Sequence, residues 1–186
     1  MQNLKMKYFK ILIIPILLIV SLSISCERDD ICPENTPTTP RLIIDLYDAE
    51  NPDNKKNAFD LLVGGINNDF ILPGYNIVDT DQLVLPLKTD DNTTEYALII
   101  DTFINDNGTP EDTSDDFYDG SNQDIITINY SREQVYVSRA CGYKTIFKNV
   151  TLTIQDDGDN WILSRQPITD NQSVEDETTA HFTITH

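Results

Sequence analysis

Asn149-Val150-Thr151-Leu152-Thr153-Ile154-Gln155, followed at once by Asp156-Asp157-Gly158-Asp159, is the stretch that decides the fold class. Side chains alternate across an extended chain, so Val150, Leu152 and Ile154 share one face while Thr151 and Thr153 share the other. The β-branched content points the same way, because Val, Ile and Thr pack well on a pleated surface. The Asp/Gly run that closes the segment carries turn chemistry and predicts a hairpin into the next strand.

The same period recurs outward from this point. Ile126, Ile128 and Tyr130 alternate with Thr127 and Asn129, and Phe182 and Ile184 alternate with His181, Thr183 and Thr185. Strands are predicted over 41–48, 59–63, 82–88, 95–104, 124–130, 134–140, 144–155, 160–164 and 178–185. Gly64-Gly65, Pro73-Gly74, Asp119-Gly120 and Cys141-Gly142 punctuate them as turns. No stretch holds a helical period for long; 57–62 is the best short helical turn. The expectation is an all-β chain, a single antiparallel β-sandwich of Ig-like architecture over residues 41–186, long enough to bury a core between two sheets.

The first 25 residues differ from the rest. Lys5, Lys7 and Lys10 precede an apolar run over 9–20 broken only by Pro15, and Ser21, Ser23 and Ser25 lead to Cys26. A basic start, a short apolar segment and a small-residue exit form the layout of a secretory signal peptide. The alternative, an uncleaved spanning helix, needs about 20 apolar residues. Leu22-Ser23-Ile24-Ser25-Cys26 resembles a bacterial lipobox, with Ser23 where Leu is usual and Leu22 one place further out. Residues 1–25 are therefore expected to be a lipoprotein signal peptide and Cys26 the lipidated residue. Residues 26–40, which contain Pro33, Pro37 and Pro40, would form an extended tether. Acyl chains contribute roughly 0.8 kcal/mol per buried CH₂, which makes more than one chain a stable anchor.

Three of the 13 basic residues and none of the 31 acidic ones lie in 1–25, so cleavage takes the formal charge from −18 to −21. Binding to nucleic-acid backbones needs clustered Lys and Arg and is excluded. Anionic lipid head groups are expected to repel the chain as a whole, leaving the acyl chains to hold the membrane. With Cys26 lipidated, Cys32 and Cys141 remain, and an oxidising compartment favours a disulfide between them over two free thiols. Such a bond closes a loop worth about 4–5 kcal/mol in the chain-entropy model. It would pin the N-terminal segment to the body of the domain.

Several segments taken together resemble a family of Bacteroidota lipoproteins catalogued only as a domain of unknown function. They are Cys32-Pro33, Thr36-Pro37-Thr38-Thr39-Pro40-Arg41-Leu42, Asp45-Leu46-Tyr47-Asp48 and Asn51-Pro52, then Ser138-Arg139-Ala140-Cys141-Gly142-Tyr143-Lys144-Thr145 and Asp159-Asn160-Trp161-Ile162. The acids just after Cys26 resemble the surface-export signal of such lipoproteins. The resemblance implies an exported lipoprotein of the outer membrane, on its periplasmic or cell-surface side, whose family members are encoded near an outer-membrane β-barrel protein. It supplies no catalytic residues. Its two ends each contain a Cys, which suits the disulfide.

One acidic stretch, residues 105–116, has the oxygens that Ca²⁺ requires, with Asp106, Glu111, Asp112, Asp115 and Asp116 as candidate ligands. It fails the EF-hand template: with Gly108 in the sixth position, the first is Phe103 and the twelfth Ser114. A solvated acidic loop between two strands is the plainer reading. His181 and His186 lie five apart, on opposite faces of a strand, and nothing marks a nucleophile near either. Tyr136, Tyr143, Phe147 and Trp161 read as core or as a ligand platform. The sequence thus favours a non-enzymatic binding or accessory module, tethered to the membrane and partnering a β-barrel protein, with no cofactor unless calcium. The alternative is a carbohydrate-active or other hydrolase using paired carboxylates.

Overall fold

The computed structural model describes residues 31–36, 38–67, 70–170 and 172–186. The expected signal peptide and Cys26 lie outside the described residues. Within them there is no helix, and eleven strands form: β1 (Leu42–Tyr47), β2 (Ala58–Gly65), β3 (Val78–Thr80), β4 (Gln82–Leu85), β5 (Thr93–Ile100), β6 (Phe103–Asn105), β7 (Phe117–Asp119), β8 (Asn122–Ser138), β9 (Gly142–Ile154), β10 (Ser164–Pro167) and β11 (Phe182–Thr185). The all-β class read from the alternation is the class observed.

The chain divides into two compact units. The smaller, among the described residues, consists of 31–36 and Val137–Gly142. It contains the Cys32–Cys141 disulfide, with Cα atoms 4.8 Å apart and a sequence separation of 109. Thr36 and Cys141 also meet there, Oγ1 to Sγ at 3.6 Å.

The larger unit holds two sheets. One orders its strands β10-β11-β1-β4 and the other β3-β2-β5-β8-β9. Leu42, Ile44 and Leu46 of β1 share one buried cluster with Val63 of β2, Leu98 of β5, Ile126 and Ile128 of β8, and Val150 and Leu152 of β9. The sheets therefore close on each other as a sandwich, each buried aliphatic side chain contributing about 1.5–3 kcal/mol. Thr151 and Thr153 face solvent, as their alternation demands. β1 lies in the middle of its sheet, antiparallel to β4 (Ile44 opposite Leu83) and parallel to β11 (Ile44 opposite Phe182). That parallel pair of first and last strands departs from the fully antiparallel expectation. β9, at the edge of its sheet, is covered by the chain near Val174, which exchanges two backbone hydrogen bonds with Phe147.

Several local expectations are corrected. Residues 124–130 and 134–140 are not two strands: β8 runs through Ser131-Arg132-Glu133, because a polar run does not break a ladder whose partner strand β9 continues beside it. The Asp156–Asp159 run is a turn with Gly158 at φ 84°, but not a hairpin, since β9 and β10 belong to different sheets and the chain crosses between them. Predicted strand 95–104 is broken at Asp101, whose φ of 51° ends β5 and starts a separate strand, β6. The helical turn predicted at 57–62 is β2 with a register shift between Ala58 and Leu61, at Asp60 (φ 46°). Gly64-Gly65 lies inside β2 opposite Ala97 and Tyr96 rather than in a turn.

The crossing from β9 is secured by one carboxylate. Asp124, fully buried on β8, accepts the N–H groups of Trp161 (3.3 Å) and Ile162 (2.8 Å). Trp161 in turn donates its indole N–H to the Leu98 carbonyl at 3.2 Å. Burial pushes the Asp124 carboxyl above its ordinary range, against the pull of the Ile162 N–H. Residues 160–163 are thus held as an anchored link instead of the predicted strand, which starts only at Ser164.

Candidate functional site

β6 and β7 pair only with each other, as a two-stranded antiparallel ribbon: Phe103 opposite Asp119, Ile104 opposite Tyr118 and Asn105 opposite Phe117. Opposed residues share a face, so Ile104 and Tyr118 lie on one side, with Phe103 and Phe117 on the other. All four are between 45 and 54% exposed, and none belongs to the buried cluster. A bare two-stranded ribbon is marginally stable in water, and the root of this one is fixed to the sandwich. Asp101 and Thr102 donate their N–H groups to the carbonyls of Phe59 and Asp60, at 3.1 and 3.0 Å. Gly120 closes the other side; a Cβ there would stand 2.5 Å from Ile99 Cγ2 and 3.1 Å from Thr102 Oγ1, so no larger residue fits without displacement. Phe59, itself largely exposed, adds to the apolar surface near the root.

The loop joining the two strands is the acidic stretch, and its carboxylates serve the loop itself. Asp106 Oδ1 accepts the Gly108 N–H at 3.0 Å, where Asn107 (φ 51°) and Gly108 (φ 78°) turn the chain through the left-handed region. Asp112 accepts the Ser114 hydroxyl (2.6 Å) and N–H (3.0 Å) on the same oxygen, while Asp115 accepts the Thr109 hydroxyl at 2.9 Å and the Asn107 amide at 3.2 Å. These bonds hold both carboxyls below the usual carboxylate range, first through the Ser114 hydroxyl for Asp112 and the Thr109 hydroxyl for Asp115. Glu111 is exposed between them. The five candidate calcium ligands therefore share a loop without converging: no group of three or more His, Cys, Asp or Glu side chains suited to a metal occurs among the described residues.

Asp116 is the exception within the loop. Its Oδ1 is shielded from solvent and has no hydrogen-bond partner. It lines a shallow cavity of about 230 Å³ with Ile104, Phe117 and Tyr118. An unpartnered buried acceptor costs about 1–3 kcal/mol, more when charged, and a donor brought in from outside would relieve that cost.

The cavities lined by Glu95, by Asp53 and by Asp116 each contain a single carboxylate. Of the histidines, His181 is buried; its Nδ1 accepts the Ile43 N–H at 2.9 Å, and burial lowers its pKa against the pull of Asp176 and Glu177. His186 packs edge-on against Trp161, ring centroids 5.4 Å apart. The four candidate platform aromatics separate: Phe147 and Trp161 are core, while Tyr136 and Tyr143 form an exposed edge-on pair.

The ribbon was missed as an element in the sequence, although a signal was present. Phe103-Ile104 and Phe117-Tyr118 flank the acidic run symmetrically, and two apolar pairs around a Gly- and Asp-rich loop are a hairpin pattern. The single long strand assumed over 95–104 absorbed the first pair. A family model described as a family of unknown function (DUF6452) matches residues 60–186, which takes in the ribbon, Asp124 and Cys141 but neither Cys32 nor the segments over 36–52. The comparisons with curated proteins and with solved structures found no match.

Proposed function

We propose that this chain, a member of the family of unknown function DUF6452, is an exported lipoprotein that serves at the outer membrane as a non-enzymatic binding module, with the β6–β7 ribbon as its contact surface. The observation that supports this most is the ribbon itself: four large apolar side chains held in solvent on a fixed root. Apolar side chains clustered in this way mark interaction surfaces. The loop at the ribbon's tip and the shielded, unpartnered Asp116 Oδ1 call for a partner groove that is apolar inside and edged with N–H, Lys or Arg donors.

The leader over 1–25, the lipobox-like Leu22–Cys26 run and the acids after Cys26 support export and acylation at Cys26. They also agree with a Bacteroidota source and with a tether over 26–40. Within that reading the partner is an outer-membrane β-barrel protein, engaged from the periplasmic or cell-surface side. Photo-crosslinking from position 117 in intact envelopes tests the contact. A single barrel-sized adduct, absent from the double variant Ile104→Ser with Phe117→Ser, is expected; crosslinks to no protein, or to many without preference, overturn it. Fatty-acid analogue labelling that persists in Cys26→Ala would overturn the anchor.

A further inference from the structure

The outer part of the β8–β9 hairpin has no role in the core or in the ribbon. Core alternation in β8 stops at Tyr130, and from Ser131 to Tyr136 only Val135 is not exposed. Tyr136 and Tyr143 stand there 58% and 66% exposed, ring centroids 5.4 Å apart at 68°. Cations collect in the same region: residues 131–148 contain Arg132, Arg139, Lys144 and Lys148 against one acid, Glu133, in a chain whose formal charge is −18. Lys148 pairs with Glu175. Arg132 donates to neutral groups, Asn92 Oδ1 and the Thr89 carbonyl, and Lys144 to the Glu175 carbonyl, so neither cation is spent on a carboxylate by these bonds.

Covalent geometry adds the second argument. Cys32 lies six positions on from Cys26, and Tyr143 two positions on from Cys141. A fully extended chain spans at most about 3.6 Å per residue. With the 4.8 Å Cα separation across the disulfide, the Tyr143 Cα cannot lie more than about 35 Å from the Cys26 Cα. Among the described residues, no other exposed aromatic pair is bound so closely by bonded atoms to residue 26. Tyrosine favours the membrane interface, where its ring is apolar and its hydroxyl wet, and Arg and Lys favour phosphate head groups.

We infer that Tyr136 and Tyr143, flanked by Arg132 and Lys144, form a membrane footing that rests in the head-group region of an anionic phospholipid bilayer. The inference rests on Cys26 being the lipid anchor, and it revises the expectation that acyl chains alone hold this acidic chain to lipid. The footing orients the tethered protein, while the ribbon, rich in acids, is left facing away from phosphate.

The test uses the full chain purified from membranes and reconstituted into phosphatidylcholine–phosphatidylglycerol vesicles containing brominated acyl chains. Trp161, the only tryptophan, is buried, so Tyr143→Trp introduces one exposed reporter. Its emission is expected to shift to the blue and to be quenched by bromine, whereas an indole placed by Phe117→Trp stays unquenched. Adding Arg132→Glu and Lys144→Glu to Tyr143→Trp should abolish most of that quenching, with the circular dichroism spectrum unchanged. An acylated chain whose reporter at 143 is no better quenched than the one at 117 overturns the footing and leaves the anchor standing. An intact mass showing unmodified Cys26 overturns the anchor; the same vesicles then decide the footing, which quenching of the added chain supports and its absence overturns.

Discussion

The β6–β7 ribbon and the outer β8–β9 hairpin are both two-stranded and both expose aromatic side chains, yet they differ in almost every other respect. The ribbon's connecting loop contains acids and no base, and the carboxylates of Asp106, Asp112 and Asp115 are occupied with turn hydrogen bonds. The outer hairpin's sequence, residues 131–148, contains four cations and two tyrosines, and Cys141 in its connecting turn is bonded to Cys32. In a chain this acidic, net charge says little about any one face; the position of the few cations says more. The ribbon is fixed at its root by backbone bonds and a glycine that admits no side chain, whereas Cys141 at the hairpin's far end is covalently bonded to Cys32.

The largest break in that contrast comes from Cys32→Ser with Cys141→Ser. Losing a link between residues 109 apart should lower stability by about 4–5 kcal/mol, read as a shift in the urea midpoint that reductant reproduces on the parent protein. The ribbon crosslink should survive wherever the chain stays folded. Asp124→Ala comes next, at about 2–3 kcal/mol, because two buried N–H groups lose their acceptor; Asp124→Asn keeps one acceptor oxygen and should lose less. This change strikes β8 at its buried end and leaves the outer hairpin alone, so exchange of amides at 160–163 should rise more than at 131–136. Gly120→Ala should cost about 1–3 kcal/mol by overpacking against Ile99, with exchange accelerated in β6 and β7 first.

A pH titration gives a smaller effect. His181 is held neutral by burial, so its folded pKa lies below the ordinary value of about 6.5. Below that value the unfolded chain takes up the proton first, so stability falls as pH drops toward the depressed folded pKa and is regained above about 6.5, with a slope of at most about 1.4 kcal/mol per pH unit. His181→Gln should flatten that part of the profile. The smallest effect on stability is expected from Phe117→Ser, within about 0.5 kcal/mol because the side chain is half in solvent, although the crosslink to a partner should disappear. A large loss of stability there would mean the ribbon is a packing element rather than a contact surface.

Which faces of β8, β9 and β11 are buried was readable residue by residue, because a period of two is a local property of an extended chain. Val150 and Leu152 inward with Thr151 and Thr153 outward is the clearest case. The errors fall where a local signal is ambiguous. Asp156–Asp159 is a good turn whichever sheet the next strand joins, and Ser131-Arg132-Glu133 reads as a break unless β9 is known to run beside it. Of the candidate site, the acids at 106–116 were visible in the sequence, but the apolar ribbon beneath them was not. A left-handed Asp101, which separates β6 from β5, leaves no trace in composition.

Strand faces, turn chemistry, the odd count of cysteines and the concentration of cations near 131–148 are properties of neighbouring residues, and the amino-acid order alone determined them. Partnership was decided by the tertiary structure: β1 beside β11 in parallel, Asp124 beneath Trp161, Tyr136 against Tyr143 but Phe147 inside, and Phe103 and Phe117 left in solvent. These outcomes depend on which distant segments compete for the same buried surface and the same N–H groups, a competition settled only when the whole chain is packed.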